Sequence, residues 1–239
     1  MTEHMIRSFD EELRRLKYLV EEMGKFTQGQ LVAIVEAMEH ADATLAERVI
    51  QREPEADHQE HAIDDLVVRL LALKHPVAID LRETLACLRI ANELERICDH
   101  AENAAERLIG SLREDQHVKV RALAPLADFA SLMVNDAMEA FSATDGAKAQ
   151  DVWNRDQRLD EMYSNLFRNL LTSMIEDPRH ITATVQVLFI ARDIERIGDR
   201  ATNIAEMARY FADATPVPEQ RPKADTTASI ATPAAPGAA

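Results

Sequence analysis

The chain has 239 residues, 46% of them apolar, with only 5% aromatics and six glycines. That is enough to bury one large core or two small ones, and too few turn-forming glycines for a β-rich fold. Lys and Arg number 27 against 42 Asp and Glu, a net charge of −15 that repels nucleic-acid phosphates and anionic lipid, so neither nucleic-acid binding nor direct membrane insertion is expected.

Apolar residues recur at three- and four-residue steps along almost the whole chain, which is the period of a helix. Leu13, Leu16, Leu19, Val20 and Met23 lead into Leu31, Ile34, Val35 and Met38, predicting a first helix over about residues 5–41. Asp42 and Thr44 then offer a break and an N-cap. A second helix runs to about Leu73 and ends at Lys74-His75-Pro76, because the residue before proline avoids the α region. Asp80 is expected to cap a third helix reaching Leu108, closed by Gly110-Ser111. A fourth covers about 116–143, with Pro125 kinking it or marking a restart. After the turn at Thr144-Asp145-Gly146, a fifth helix runs to Ile175 and breaks at Glu176-Asp177-Pro178. A sixth spans about 180–211. Five of the nine prolines follow residue 212 in an Ala- and Thr-rich stretch, so 212–239 is expected to be a disordered tail. Six long helices joined by short loops predict an all-α antiparallel bundle protein.

The chain also repeats itself. Residues 88–106, LRIANELERICDHAENAAE, match 188–206, LFIARDIERIGDRATNIAE, at 11 of 19 positions with an offset of 100. Chance gives roughly one or two, so the segment is an internal duplication. The two copies divide the body into three-helix units over 1–112 and 113–211.

Cys87 and Cys98 can form neither a zinc cage nor a disulfide framework, and they read as buried thiols of a reducing cytosol. No stretch approaches the roughly 18 apolar residues of a membrane span, and the acidic N-terminus lacks an apolar signal core. A cytoplasmic location follows.

The repeat carries more than core residues. In helix 3 the seam Leu81, Leu85, Leu88, Asn92, Glu95, Asp99, Glu102, Glu106 begins apolar and turns acidic halfway along. Helix 6 does the same through Arg192, Glu195, Asp199, Thr202 and Glu206. Glu95 with Asp99, and Glu195 with Asp199, stand one turn apart on one face. An antiparallel turn between helices 2 and 3 sets Glu53 and Asp57 beside Asp99 and Glu95, with Glu60 close by. The same register sets Asp156 and Asp160 against Asp199 and Glu195. Like charges at 4 Å repel by about 4 kcal/mol at an effective dielectric of 20, so protons, arginines or a metal must relieve each cluster. Hard oxygen donors with neither Cys nor a shared His suit magnesium, calcium, manganese or iron. Solvated faces paired with Arg96 and Arg196 are the competing reading.

Glu55 with His58 and Glu114 with His117 match the E-x-x-H ligand pattern of di-iron bundles, but neither is duplicated, and both read as solvated surface. Trp153 and Phe167 sit at core-like steps. No G-x-S-x-G or P-loop occurs, and no catalytic constellation is found, so the chain does not read as an enzyme.

NELERICDHAENAAERL and RDIERIGDRATNIAEM resemble the paired signatures of the PhoU family, the phosphate-uptake regulatory proteins of bacteria. HPVAIDLR (75–82), IDDLVVRLL (63–71) and SMIEDPRHI (173–181) extend the resemblance over roughly residues 8–211. The resemblance implies two tandem three-helix bundles related by pseudo-twofold symmetry, and a regulator that helps shut off the phosphate-starvation response when phosphate is plentiful. Its implied partners are the ATPase subunit of an ABC phosphate transporter and a membrane sensor histidine kinase, and a homodimer is expected. It implies metal, notably iron, on the acidic faces, at Glu53, Asp57, Glu60, Glu95, Asp99, Asp156, Asp160, Glu195 and Asp199. One departure is Cys98, where the family more often has the glycine seen at Gly198, so tighter packing is expected there. The alternative function is a metal-carrying bundle of the ferritin-like class, storing or oxidising iron.

Overall fold

The computed structural model describes residues 2–74 and 76–214. The tail expected over 212–239 lies outside the described residues from 215 onward. Among the described residues there is no strand. Helices α1 (Thr2–His40), α2 (Ala43–Lys74) and α3 (Ala78–Arg113) form one antiparallel unit. Helices α5 (Ala124–Ala143), α6 (Gly146–Glu176) and α7 (Ile181–Asp213) form the other. A five-residue helix, α4 (His117–Arg121), joins them, and a 3₁₀ turn, Pro178–His180, precedes α7.

Both hairpins close by the same device. Ala41 and Thr144 adopt left-handed φ of 53° and 55°, and the following aspartates reach back five residues, Asp42 N to Ala37 O at 2.9 Å and Asp145 N to Ala140 O at 2.8 Å. Each aspartate then caps the next helix. Asp42 Oδ1 accepts from Thr44 N at 2.8 Å, and Asp145 Oδ1 accepts from Lys148 N at 3.0 Å. The duplication is thus written in the turns as well as in the signature.

Three local expectations are corrected. Asp80 does not cap α3: Val77 occupies the N-cap with no side-chain bond, and Asp80 instead lies in the first turn, its carbonyl accepting from Thr84 Oγ1 at 2.8 Å. Gly110-Ser111 does not end α3, which continues to Arg113, because Ser111 is fully buried and packing overrides the glycine signal. The expected helix over 116–143 is interrupted. Leu123 stands as the N-cap of α5 with Pro125 in its first turn, where the missing N–H costs no ladder bond.

α3 and α7 pair most extensively and form the spine. They run antiparallel, and their polar contacts are reciprocal. Arg200 Nη1 lies 3.4 Å from Glu93 Oε2, to which Asn203 Nδ2 also donates at 2.9 Å. In mirror fashion His100 Nδ1 lies 3.5 Å from Asp193 Oδ1, and Arg107 Nη1 reaches Asp193 Oδ2 at 2.5 Å. Positions 93 and 193, like 100 and 200, exchange roles, as a pseudo-twofold axis through the α3–α7 seam requires. A second seam joins α1 to α5, where Lys17 Nζ donates to Ser142 O at 3.0 Å beside the Phe141 and Phe211 rings. One core runs through both halves. No helix among the described residues is long and apolar enough to cross a membrane.

Candidate functional site

α2 and α3 lie side by side and antiparallel, so acids spaced by one turn on each helix meet along their outer seam. Asn92 Nδ2 donates to Glu60 Oε1 at 3.1 Å and fixes the register. Two turns further from the α2–α3 loop, Glu53, Asp99 and Glu102 each place a carboxylate oxygen within 4.8 Å of the others. All three are half-buried, as are Glu60 and Glu95, whereas Asp57 is exposed at the rim.

The electrostatics record the crowding. Burial, then the charges of Asp57, Glu102 and Asp99, then a hydrogen bond with Asp99 push the Glu53 carboxyl up to about 7. Burial, then Asp99, Glu60 and Asp57 push Glu95 up to about 7, and Arg96 offsets this only in part. Burial and the neighbouring Glu106, Asp99 and Asp57 raise Glu102 as well. Arg96, which the solvated-face reading assigns to these acids, is exposed and donates its Nε to Asn92 Oδ1 at 3.2 Å. A carboxylate triad of this kind is chemically suited to a hard cation, with oxygen donors from two helices and no soft ligand. Glu53, Asp99 and Glu102 would hold the ion, with Glu95 and Glu60 next along the face.

Glu102 is the one acid of the triad outside the expected ligand set. Its signal was the continuation of the α3 seam from Glu95 and Asp99 at the same three- and four-residue steps.

The second half is built differently. Asp156, Asp160 and Glu195 are buried, at 4%, 2% and 2% exposure, while Asp199 is half-buried. Thr202, which stands where the first half has Glu102, donates its hydroxyl to Asp156 Oδ1 at 3.1 Å and to Gly198 O at 3.1 Å. Arg192 Nη1 lies 3.6 Å from Glu195 Oε2. A hydroxyl donor at 202 in place of a carboxylate removes one negative charge from this set and satisfies an Asp156 oxygen directly.

Trp153 does more than pack, since its indole Nε1 donates to Glu206 Oε1 at 3.1 Å. Phe167 is half-buried, with its ring 6.2 Å from that of Tyr163. Glu55 and His58 are exposed, and Glu55 pairs with Arg52 at 3.2 Å, as expected of surface; the His117 side chain lies outside the described residues. Cys98 is buried with Phe26 and Ala56, its Sγ 3.5 Å from Thr27 Oγ1, and burial pushes its thiol up to about 12. Burial raises the Cys87 thiol too, so neither is a nucleophile at neutral pH. The inter-half contacts through Glu93, His100, Asp193 and Arg200 were not among the expected site residues, although acid at 93 and 193 and a basic group at 100 and 200 recur across the repeat.

Comparison with known proteins gives a consistent result. The family model for the PhoU domain matches residues 20–108 and again 123–208. A phosphate-specific transport system accessory protein PhoU homolog of Rhizobium meliloti (strain 1021) is 37% identical over 228 residues, covering 95% of this chain and 96% of that protein. A homolog with the same description from Caulobacter vibrioides (strain NA1000 / CB15N) is 37% identical over 226 residues, covering 94% of this chain and 98% of that one. The crystal structure of PhoU from Pseudomonas aeruginosa matches with a TM-score of 0.82 at 34% identity, over 87% of this chain and all of that one.

Proposed function

The chain belongs to the PhoU family, and on that premise we propose that it is an accessory regulator of phosphate-specific transport. In this reading it is a cytoplasmic, non-catalytic adaptor that docks on the transporter's ATPase subunit and on a sensor histidine kinase. It restrains the starvation response when phosphate is plentiful, and it works as a homodimer. The relatives' description as transport accessory proteins supports the coarse role.

The observation that carries the finer reading is the Glu53–Asp99–Glu102 triad, with oxygens within 4.8 Å, two of its acids inside the repeated signature and the third on the neighbouring α2. When bound, a divalent or trivalent cation such as magnesium, calcium, manganese or iron supplies charge neutralisation and ties α2 to α3. Glu53 and Glu95 hold protons near neutral pH in its absence, so proton and cation compete for the same oxygens. The adaptor's acidic face would therefore change charge with its load, and docking would follow that change.

Elemental analysis of purified protein before and after chelation tests the cation. Bound metal lost from Glu53→Gln/Asp99→Asn supports the site, and metal-free protein with no chelator effect on melting overturns it. A pulldown with the transporter ATPase tests the adaptor. Capture unaffected by Glu95→Gln/Asp99→Asn together with Glu195→Gln/Asp199→Asn would sink the metal-face version. The ferritin-like alternative expects ligands from four facing helices, whereas the triad draws on α2 and α3 alone.

A further inference from the structure

A groove of about 490 Å³ opens between α2, α3 and α7, and so depends on the two halves being docked. Glu60, Asp64, Glu93 and Glu206 line it together with Arg89; Glu93 is held by Arg200 and Asn203, and Glu206 accepts from Trp153. Leu88 and Met207 add apolar lining, and Arg89 Nη1 lies 3.7 Å from Met207 Sδ.

The duplication supplies an internal comparison. At the positions equivalent to Glu60, Asp64 and Arg89 the second half carries Tyr163, Phe167 and Phe189. At the positions equivalent to Asn92 on α3 and Met207 on α7 stand Arg192 on α7 and Arg107 on α3. There the chain's own arginines lie on the aromatic rings, Arg192 5.7 Å from the Tyr163 centroid and Arg107 5.8 Å from that of Phe189. In the groove Glu60 and Asp64 replace the rings of Tyr163 and Phe167, and the neutral Asn92 stands where Arg192 would be, while Arg89 and Met207 exchange the apolar side chain and the arginine of Phe189 and Arg107.

We propose that this groove is a docking site for an arginine-bearing segment of a partner protein. The partner supplies beside Glu60 and Asp64 the guanidinium group that Arg192 supplies on the opposite face. With Glu93 paired to Arg200, Glu60, Asp64 and Glu206 against Arg89 still leave net negative charge, and planar guanidinium matches carboxylate in a fork that ammonium does not. Leu88 and Met207 would take the side-chain stem. The inference rests on the adaptor reading only in taking the occupant for a protein.

The test uses a fluorescein-labelled helical peptide bearing arginine and leucine, its arginine-to-glutamine control, and the whole protein, read by anisotropy at two salt concentrations. The arginine peptide should bind, the control should not, and binding should weaken with salt. Asn92→Arg, which gives the groove its own cation, and the milder Asp64→Asn should each weaken binding by about tenfold and about threefold respectively. Circular dichroism melting confirms that both variants fold, and Asp64→Asn, at a half-buried position, carries the test if Asn92→Arg does not. Glu53→Gln/Asp99→Asn, which removes the proposed cation site, should leave peptide binding unchanged, so the two proposals fail separately. Equal binding by all variants would mean diffuse attraction to an acidic surface and overturn the docking site. Spermidine binding in place of the peptide would also overturn it, since the groove would then take a small polyamine.

Discussion

Leu159 fills the space that a side chain on Gly198 would need. In the other half the equivalent pair is inverted, with Cys98 packed on Ala56. Large against small is kept at the same level of both acid faces, with the partners swapped between helices. Gly198→Ala should therefore destabilise the protein by about 1–3 kcal/mol through overpacking, net of the roughly 1 kcal/mol that alanine gains in a helix. Adding Leu159→Ala should return part of that loss. Urea denaturation of the double-mutant cycle reads the coupling, and Gly198→Ala as stable as the parent would show that Leu159 turns aside at no cost.

The Glu53 and Glu95 carboxyls set a pH dependence. Both hold their protons to about pH 7 in the folded state, against the ordinary 4.5. Their contribution to stability is thus complete below about pH 4.5 and is lost as pH rises through about 7. In chelator, the melting temperature should fall over that window, and Glu53→Gln/Glu95→Gln should flatten the profile and melt higher than the parent at pH 8. A parent profile rising across the window would contradict the crowded-carboxyl picture.

Cation loading should show the same groups from the other side. Titrating manganese into chelator-stripped protein in weak buffer near pH 7 should release about one proton per ion, because the half-protonated carboxyls must ionise to bind. Affinity should rise from pH 6 to pH 8. Calorimetry in buffers of different ionisation enthalpy measures the release, and binding without it would place the ion elsewhere.

The α3–α7 seam should be separable from the acid faces. Asp193→Asn and Glu93→Gln each weaken a pair of half-buried contacts and should cost about 1–2 kcal/mol in denaturation, without altering metal content. Unchanged stability in both variants would show that apolar packing holds the halves without these polar contacts.

The helices and the duplication were legible because their signals are local and repeated: apolar steps, proline and aspartate punctuation, and a signature at a fixed offset. The acid face of the first half was legible for the same reason, since the antiparallel turn fixes which levels of α2 and α3 meet. What escaped was set by tertiary packing. The burial of Ser111 carries α3 past Gly110, and the length of the seam brings Glu102 into the triad. The inter-half contacts were hidden because Glu93 and His100 lie in the same motif as Glu95 and Asp99 but point to the other face. A linear signature does not say which of its charges serve a partner helix and which face outward.

The reciprocal exchange between positions 93 and 200, and between 193 and 100, has an evolutionary corollary. A seam that is its own complement is what a symmetric pair of identical three-helix chains would use, so the fold is accounted for by fusion of such a pair. Once fused, each copy was released from the demand that one surface serve two places at once. Arg192 and Tyr163 in one half, and Asn92 and Glu60 in the other, are the divergence that this freedom allows: one face sealed by its own side chains, the other left open to the outside.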